Sequence, residues 1–208
     1  LVSGVSGRYY RAPFSRGVGS RAAVVGIQIN IANIDDGGPI AGARIRDALG
    51  NVKHHDETVN PGLDDLGFCV ARTWDDEPGV FVNRPRLKCS PSSDYQLMPH
   101  RLVMNEGLDI AQSFLRKRLS KDILVDPTTG YISELDAVEI ERAATALLTT
   151  EMTNQRECSR AWVVLSRTDN ILSTKSMRAW LRIVPLGYPE TIYLEAGFVN
   201  PALNAVTA

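Results

Sequence analysis

The sequence predicts an α+β fold in which helices pack on one face of a largely antiparallel sheet, with an extended carboxyl-terminal strand or arm. Three observations carry this expectation. Apolar residues recur at helical spacing over 101–119 and 133–150, side chains alternate with a period near two over 161–168, 177–184 and 191–198, and residues 67–83 read as strand, acidic turn, strand. Helices in the middle with strands before and after them suit segregated rather than alternating elements.

The elements follow in chain order. Gly4, Gly7, Pro13, Gly17 and Gly19 punctuate the first 19 residues, which read as an extended lead-in. The amino end, LVSGVSGR, reads as the cut end of a longer chain. Ser20 is placed to cap a helix running from Arg21 to about Asn33, closed by DDGGP at 35–39, although Val24, Val25 and the isoleucines of 27–31 keep a strand open there. Residues 37–67 are rich in Gly and Asp, with a short helix expected at 43–49 and loop elsewhere. GFCVARTW (67–74), DDEPG (75–79) and VFVN (80–83) spell the strand, turn and strand.

The helix at 101–119 turns Leu102, Val103, Ile110, Ala111, Phe114 and Leu115 inward and ends in Arg116, Lys117 and Arg118, cations suited to a helix carboxyl end. A short strand at 123–126 is stopped by PTTG. Ser133, with Asp136 three residues on, opens a second helix to about Thr150 with Leu135, Val138, Ala144, Leu147 and Leu148 inward. The last strands are joined by Asp169-Asn170 and by PLGYP at 185–189. The expected organisation is a lead-in (1–19), a core (20–188) and an arm (189–208).

Composition narrows the function. The 208 residues are 44% hydrophobic, and 23 basic against 24 acidic side chains leave a net charge of −1, without the positive field of a nucleic-acid coat. That neutrality is a cancellation: the blocks 1–50, 51–83, 84–121, 122–159, 160–188 and 189–208 carry +3, −5, +5, −6, +4 and −2. The alternation is either neutralised inside the folded subunit or forms a self-complementary surface between copies. Apolar runs fall far short of the roughly 20 residues that cross a bilayer, so no direct membrane insertion is expected. Cys69, Cys89 and Cys158 lack CxxC spacing and read as free thiols.

Chemical motifs are sparse. His54, His55, Asp56 and Glu57 are potential ligands side by side, but adjacent residues point different ways, and a polar loop is the simpler reading. GVGSRA at 17–22 matches a dinucleotide fingerprint without the strand that must precede it. Asp64-Asp65 and Asp75-Asp76-Glu77 lack calcium-loop spacing, and His100, just before the long helix, has no base-like neighbours in sequence. No enzyme, cofactor or metal is expected; the alternative from another class is a small metal-dependent enzyme using His54, His55 and Asp56.

The carboxyl end carries an interaction signal. Pro185, Gly187 and Pro189 isolate TIYLEAGF (191–198), and Asn200-Pro201 limits its extension. Such a strand either folds back on its own sheet or adds to a neighbour's, with Ile192, Leu194 and Phe198 filling pockets.

GFCVARTW (67–74), GVFVNRPR (79–86), SDYQLMPHRLVMN (93–105), RTDNILS (167–173), RIVPLGY (182–188) and GFVNP (197–201), in this order and spacing, resemble the carboxyl-terminal part of contractile phage tail sheath proteins. The similarity runs over about residues 20–203. It implies an α+β core lining a helical tube around an inner tail tube, without catalysis, and terminal arms exchanged between subunits. The arm then includes Tyr188, Ile192, Leu194, Phe198 and Asn200, and Arg116, Lys117 and Arg118 become candidate contacts to the inner tube or an adjacent subunit. The implied partners are further copies of the chain, the inner tail tube protein, and baseplate and tail terminator proteins, with no nucleic acid. The implied location is a virion tail assembled in the host bacterial cytoplasm; a tailocin or secretion-type sheath shares the same architecture. The chain is short for a sheath, so an amino-terminal arm and outer domains are expected to be missing from it.

Overall fold

The computed structural model describes residues 2–5, 8–11, 13–55, 62–90 and 92–198. It is α+β, with small antiparallel sheets in place of one continuous sheet. Strands β1 (Val2–Val5), β2 (Arg8–Arg11) and β3 (Ala43–Arg44) pair in the order β2-β1-β3, with Ser3 opposite both Tyr10 and Ala43. Strands β4 (Ala71–Arg72) and β5 (Phe81–Val82) form the expected strand, turn, strand, shorter than the sequence suggested.

Two expectations between residues 20 and 55 are corrected. The first helix, α1, spans Phe14–Ala22, and Ser20 lies inside it, its hydroxyl donating to the Gly17 carbonyl at 2.9 Å instead of capping a helix at 21–33. Residues 23–39 are a chain of turns, because local side chains outcompete a helix for the backbone. Asn30 Oδ1 accepts from Ala32 N–H at 2.9 Å, and Asn33 Oδ1 from Asp35 N–H at 3.0 Å. The buried Arg21 gathers the segment, its guanidinium donating to the carbonyls of Ile31 (2.7 Å), Asn33 (2.5 Å) and Asp36 (3.1 Å). The short helix expected at 43–49 is likewise replaced, by β3 and a turn. Asp47 Oδ1 accepts from Leu49 and Asn51 N–H, both at 2.9 Å, while Gly50 takes a φ of +89° that other residues rarely adopt.

The carboxyl-terminal half matches its pattern closely. Helix α2 spans Met98–Arg116, three residues earlier than the periodicity suggested, since Pro99 sits in the first turn where its missing N–H costs nothing. Val125 bridges Ile132 across a turn in which Asp126 Oδ1 accepts from Thr128 and Thr129 N–H at 2.8 and 2.9 Å. Helix α3 (Glu134–Leu148) is capped as expected, Ser133 Oγ accepting from Asp136 N–H at 3.3 Å, and runs into a π-turn over Thr149–Thr153. Leu135, expected inward, is 75% exposed, because it lies on the solvent side of the first turn while Ala137, Ile140, Ala144 and Leu148 form the buried stripe.

Strands β6 (Arg160–Leu165) and β7 (Ala179–Val184) form an antiparallel hairpin whose connection holds the short helix α4 (Ile171–Thr174). Ala161, Val163 and Leu165 point into the core with Leu181 and Ile183, and α3 lies over β6 while α2 lies over β7. Gly107 permits that approach: a Cβ there would stand 2.6 Å from Ile183 Cδ1 and 3.3 Å from both Leu181 Cδ2 and Met152 Sδ. The helices therefore cover one face of the hairpin. On its other face Val164, Trp180, Arg182 and Val184 are exposed and Trp162 is partly buried.

Candidate functional site

The chain leaves the core along a moored stem and then runs free. Ser159 Oγ donates to the Pro185 carbonyl at 3.2 Å, and His100 Nε2 lies 3.3 Å from the Leu186 carbonyl. The Tyr188 ring stands 5.6 Å from the His100 ring, and its hydroxyl donates to the Gln28 carbonyl. Burial pushes the Tyr188 phenol above its usual pKa, which keeps it a donor. Glu190 closes the mooring with an ion pair to Arg84 Nε at 3.3 Å, and Arg84 also holds the buried Asp64 at 3.0 Å. His100, without base-like neighbours in sequence, thus finds its role as a stacking partner from the other end of the chain.

Beyond Glu190 the mooring ends. Ile192, Tyr193 and Leu194 are 81%, 90% and 90% exposed and Phe198 is fully exposed. Residues 191–198 make no strand within the subunit. Their even positions, Ile192, Leu194, Ala196 and Phe198, are apolar, and their odd positions, Thr191, Tyr193, Glu195 and Gly197, are polar or small apart from the tyrosine ring, the alternation of a half-buried strand. Asn200 lies outside the described residues.

The hairpin beside this stem has two unlike edges. Ser166 N–H donates to the Arg178 carbonyl at 2.9 Å, so alternate residues 160, 162 and 164 bond β7, and 161, 163 and 165 aim their backbone groups away from it. Helix α3 occupies that outward edge: Val163 N–H donates to Thr145 Oγ1 at 3.4 Å and Leu165 N–H to Glu141 Oε1 at 2.6 Å. Arg167 locks Glu141 in place at 2.7 and 3.0 Å and reaches Glu134 at 2.7 and 3.1 Å. The Arg167 hydrogen bond is the main reason the Glu141 carboxyl is held below its usual pKa, and Arg167 itself is shifted upward by the same pairing. On β7 the outward groups belong to Ala179, Leu181 and Ile183, and among the described residues nothing bonds their N–H groups. Glu141 and Thr145, four apart on one helix face, were missed as site residues; that spacing was the available signal.

A cleft of about 400 Å³ adjoins the β7 edge. Val103, Met104, Ile183 and Pro185 line it with His100 and Glu190, and no residue of α3 or β6 contributes.

The other singled-out residues stand apart from this region. Arg116 and Lys117 are exposed at the end of α2, and Arg118 lies 5.3 Å over the Phe114 ring; none of the three pairs with a carboxylate among the described residues. His54 is exposed, while the His55 backbone is tied to Thr73, whose Oγ1 accepts its N–H at 2.7 Å. Asp56 lies outside the described residues, and among those described no three His, Cys, Asp or Glu side chains gather as metal ligands. Cys69, Cys89 and Cys158 are free thiols; burial, followed by Asp64, raises Cys69 to about 11.

The charge blocks meet in part within the subunit. Arg167 joins the +4 block to Glu134 and Glu141 of the −6 block, and Arg84 joins the +5 block to Asp64 of the −5 block. Asp169, brought to a pKa of about 2 chiefly by the hydrogen bond from Arg178, closes a further pair within one block.

The chain matches no family model and no curated protein. Among solved structures it is similar to a chain in the contracted helical sheath of the anti-feeding prophage, with 14% identity and a TM-score of 0.54 over 95% of this chain and 53% of that one. It is also similar to a chain in the baseplate of the same prophage, with 14% identity and a TM-score of 0.52 over 88% of this chain and 48% of that one. The likeness is one of fold, and the chain spans about half the length of the chains it matches.

Proposed function

We propose that this chain is the core-forming part of a contractile sheath subunit, without catalytic activity, that polymerises into a helical tube around an inner tail tube. The observation that carries the reading is the arm: a stem moored at His100, Gln28 and Arg84 releases an alternating apolar strand with no seat on its own subunit. A strand of this kind is stabilised by joining another copy, where main-chain hydrogen bonds give affinity and the apolar row gives register. The likeness to a contracted sheath supports the same reading.

The mechanism is mechanical. Copies linked by Ile192, Leu194, Phe198 and Asn200 stay connected while the lattice passes to a shorter, wider arrangement, and the second set of interfaces supplies the free energy that drives the inner tube. Arg116, Lys117 and Arg118 contact the inner tube or an adjacent subunit in this reading, which the exposure of Arg116 and Lys117 supports. The sheath is that of a phage tail, assembled in the bacterial cytoplasm and joined to baseplate and terminator proteins; a tailocin or secretion-type system would use the same subunit chemistry.

Removing residues 189–208 from the protein in its full natural length tests the reading. The subunit is expected to keep its fold, since residues 191–198 are exposed, and to form no tubes under the electron microscope. Normal tubes from that deletion would overturn the arm assignment.

A further inference from the structure

We propose that the acidic turn between β4 and β5 of one copy docks on the outer face of the β6–β7 hairpin of a second copy. This rests on the reading above that copies of the chain assemble, and it names two surfaces outside the arm that meet when they do. The outer face carries Arg160, Trp162 and Val164 from β6 opposite Val184, Arg182 and Trp180 from β7. Arg160 lies over the Trp162 ring at 4.8 Å, and Arg178, just before β7, lies over Trp180 at 5.9 Å. A guanidinium stacked on a ring keeps the N–H groups along its edge for a carboxylate. Asp169 already holds Arg178, whereas Arg160 and Arg182 pair with no carboxylate among the described residues. The face is therefore a cationic and aromatic surface with two of its arginines unneutralised.

The turn supplies the matching chemistry. Asp75, Asp76 and Glu77 are the one run of three consecutive carboxylates in the chain. All three are exposed, and none pairs with a cation among the described residues. Their base is fixed: β4 and β5 are paired, Ile40 N–H donates to the Val80 carbonyl at 2.8 Å, and Val80, Phe81 and Val82 are buried. Pro78, exposed beside the carboxylates, adds an apolar surface for the exposed Trp180. Turn and face both stay open within one subunit, so they meet only between copies. Two different patches joined in this way make a head-to-tail contact, which propagates along an open helical assembly instead of closing as a dimer. Charge pairing of this kind sets orientation and register more than raw affinity.

Charge exchange in the full-length protein tests the contact. Asp76→Lys with Glu77→Lys raises the protein concentration needed for tubes by roughly tenfold or more, and Arg160→Glu with Arg182→Glu does the same. The four changes together restore assembly to within about threefold of the parent, because the pairing is reversed and not removed. All variants keep the parent's melting temperature, since the altered side chains are exposed. A second measurement reads proximity without tubes. A carbodiimide applied to a concentrated mixture of isotopically labelled and unlabelled Arg182→Lys protein couples position 182 of one copy to Asp75, Asp76 or Glu77 of the other. Two double variants that assemble like the parent, or a fourfold variant as poor as either double, would overturn the contact and leave the sheath reading standing. Coupling confined to single copies would show the turn lying on its own hairpin and would overturn it as well. Coupling between copies in a parent that forms no tubes would uphold the contact and overturn the sheath reading.

Discussion

Replacing Glu141 with Ala tests the closed edge of the hairpin most sharply. Its carboxylate accepts Leu165 N–H at 2.6 Å and two Arg167 N–H groups at 2.7 and 3.0 Å. A hydrogen bond to a charged group contributes about 1.5–3 kcal/mol. The Arg167 share is discounted, because that side chain is 33% exposed and keeps Glu134 as a partner. The expected loss is about 2–3 kcal/mol, or a fall in melting temperature of about 4–12 °C for a domain of this size. Thermal unfolding followed by circular dichroism at neutral pH reads it. Glu141→Gln keeps an acceptor oxygen for Leu165 and loses roughly 1 kcal/mol, and Glu134→Ala, at an exposed carboxylate, shifts the midpoint least. Acid adds a second signature. Since the folded Glu141 carboxyl sits below its usual pKa, its stabilisation is complete above about 4.3 and is lost as pH falls through the lower folded value, so parent and Glu141→Ala converge in acid. A Glu141→Ala midpoint within about 0.5 kcal/mol of the parent at neutral pH would refute the claim that this carboxylate holds the edge.

Other variants probe the stem, the core and the charged surface. Tyr188→Phe removes the hydroxyl that donates to the Gln28 carbonyl and costs about 1 kcal/mol in denaturant unfolding, with tubes retained. Leu148→Ala, at a fully buried position between α3 and the hairpin, costs about 2–5 kcal/mol in the same assay. Leu194→Asp leaves the melting temperature unchanged, because the side chain is 90% exposed in the subunit, and abolishes tubes by electron microscopy. Raised salt loosens assembled tubes in sedimentation before it unfolds the subunit, since exposed charges such as Arg116 and Lys117 are screened over about 8–10 Å at ordinary ionic strength.

Legibility in the sequence followed the range of the interactions. Helices α2 and α3 and strands β6 and β7 were readable because their apolar stripes repeat at the period of the element they form, and Ser133 marked a helix start that local chemistry alone determines. Residues 20–55 were misread because Arg21 organises carbonyls 10 to 15 residues away, while Asn30, Asn33 and Asp47 bond their own neighbouring backbone. An apolar run of isoleucines carries no mark of that competition. The arm was legible as an isolated alternating strand, but its mooring joins Tyr188 to Gln28 and His100 to Leu186, pairs that only the folded chain brings together. The unlike edges of the hairpin were likewise hidden, since Thr145 and Glu141 reach β6 across the packing of a helix on a sheet.

Negative-stain microscopy of the protein in its full natural length, at concentrations that favour assembly and with its inner tube supplied, addresses the central claim most directly. Long, regularly striated hollow cylinders are predicted, built from copies that keep the moored stem and exchange the arm. Dispersed particles under all such conditions, with no cylinders of any length, would contradict the sheath reading.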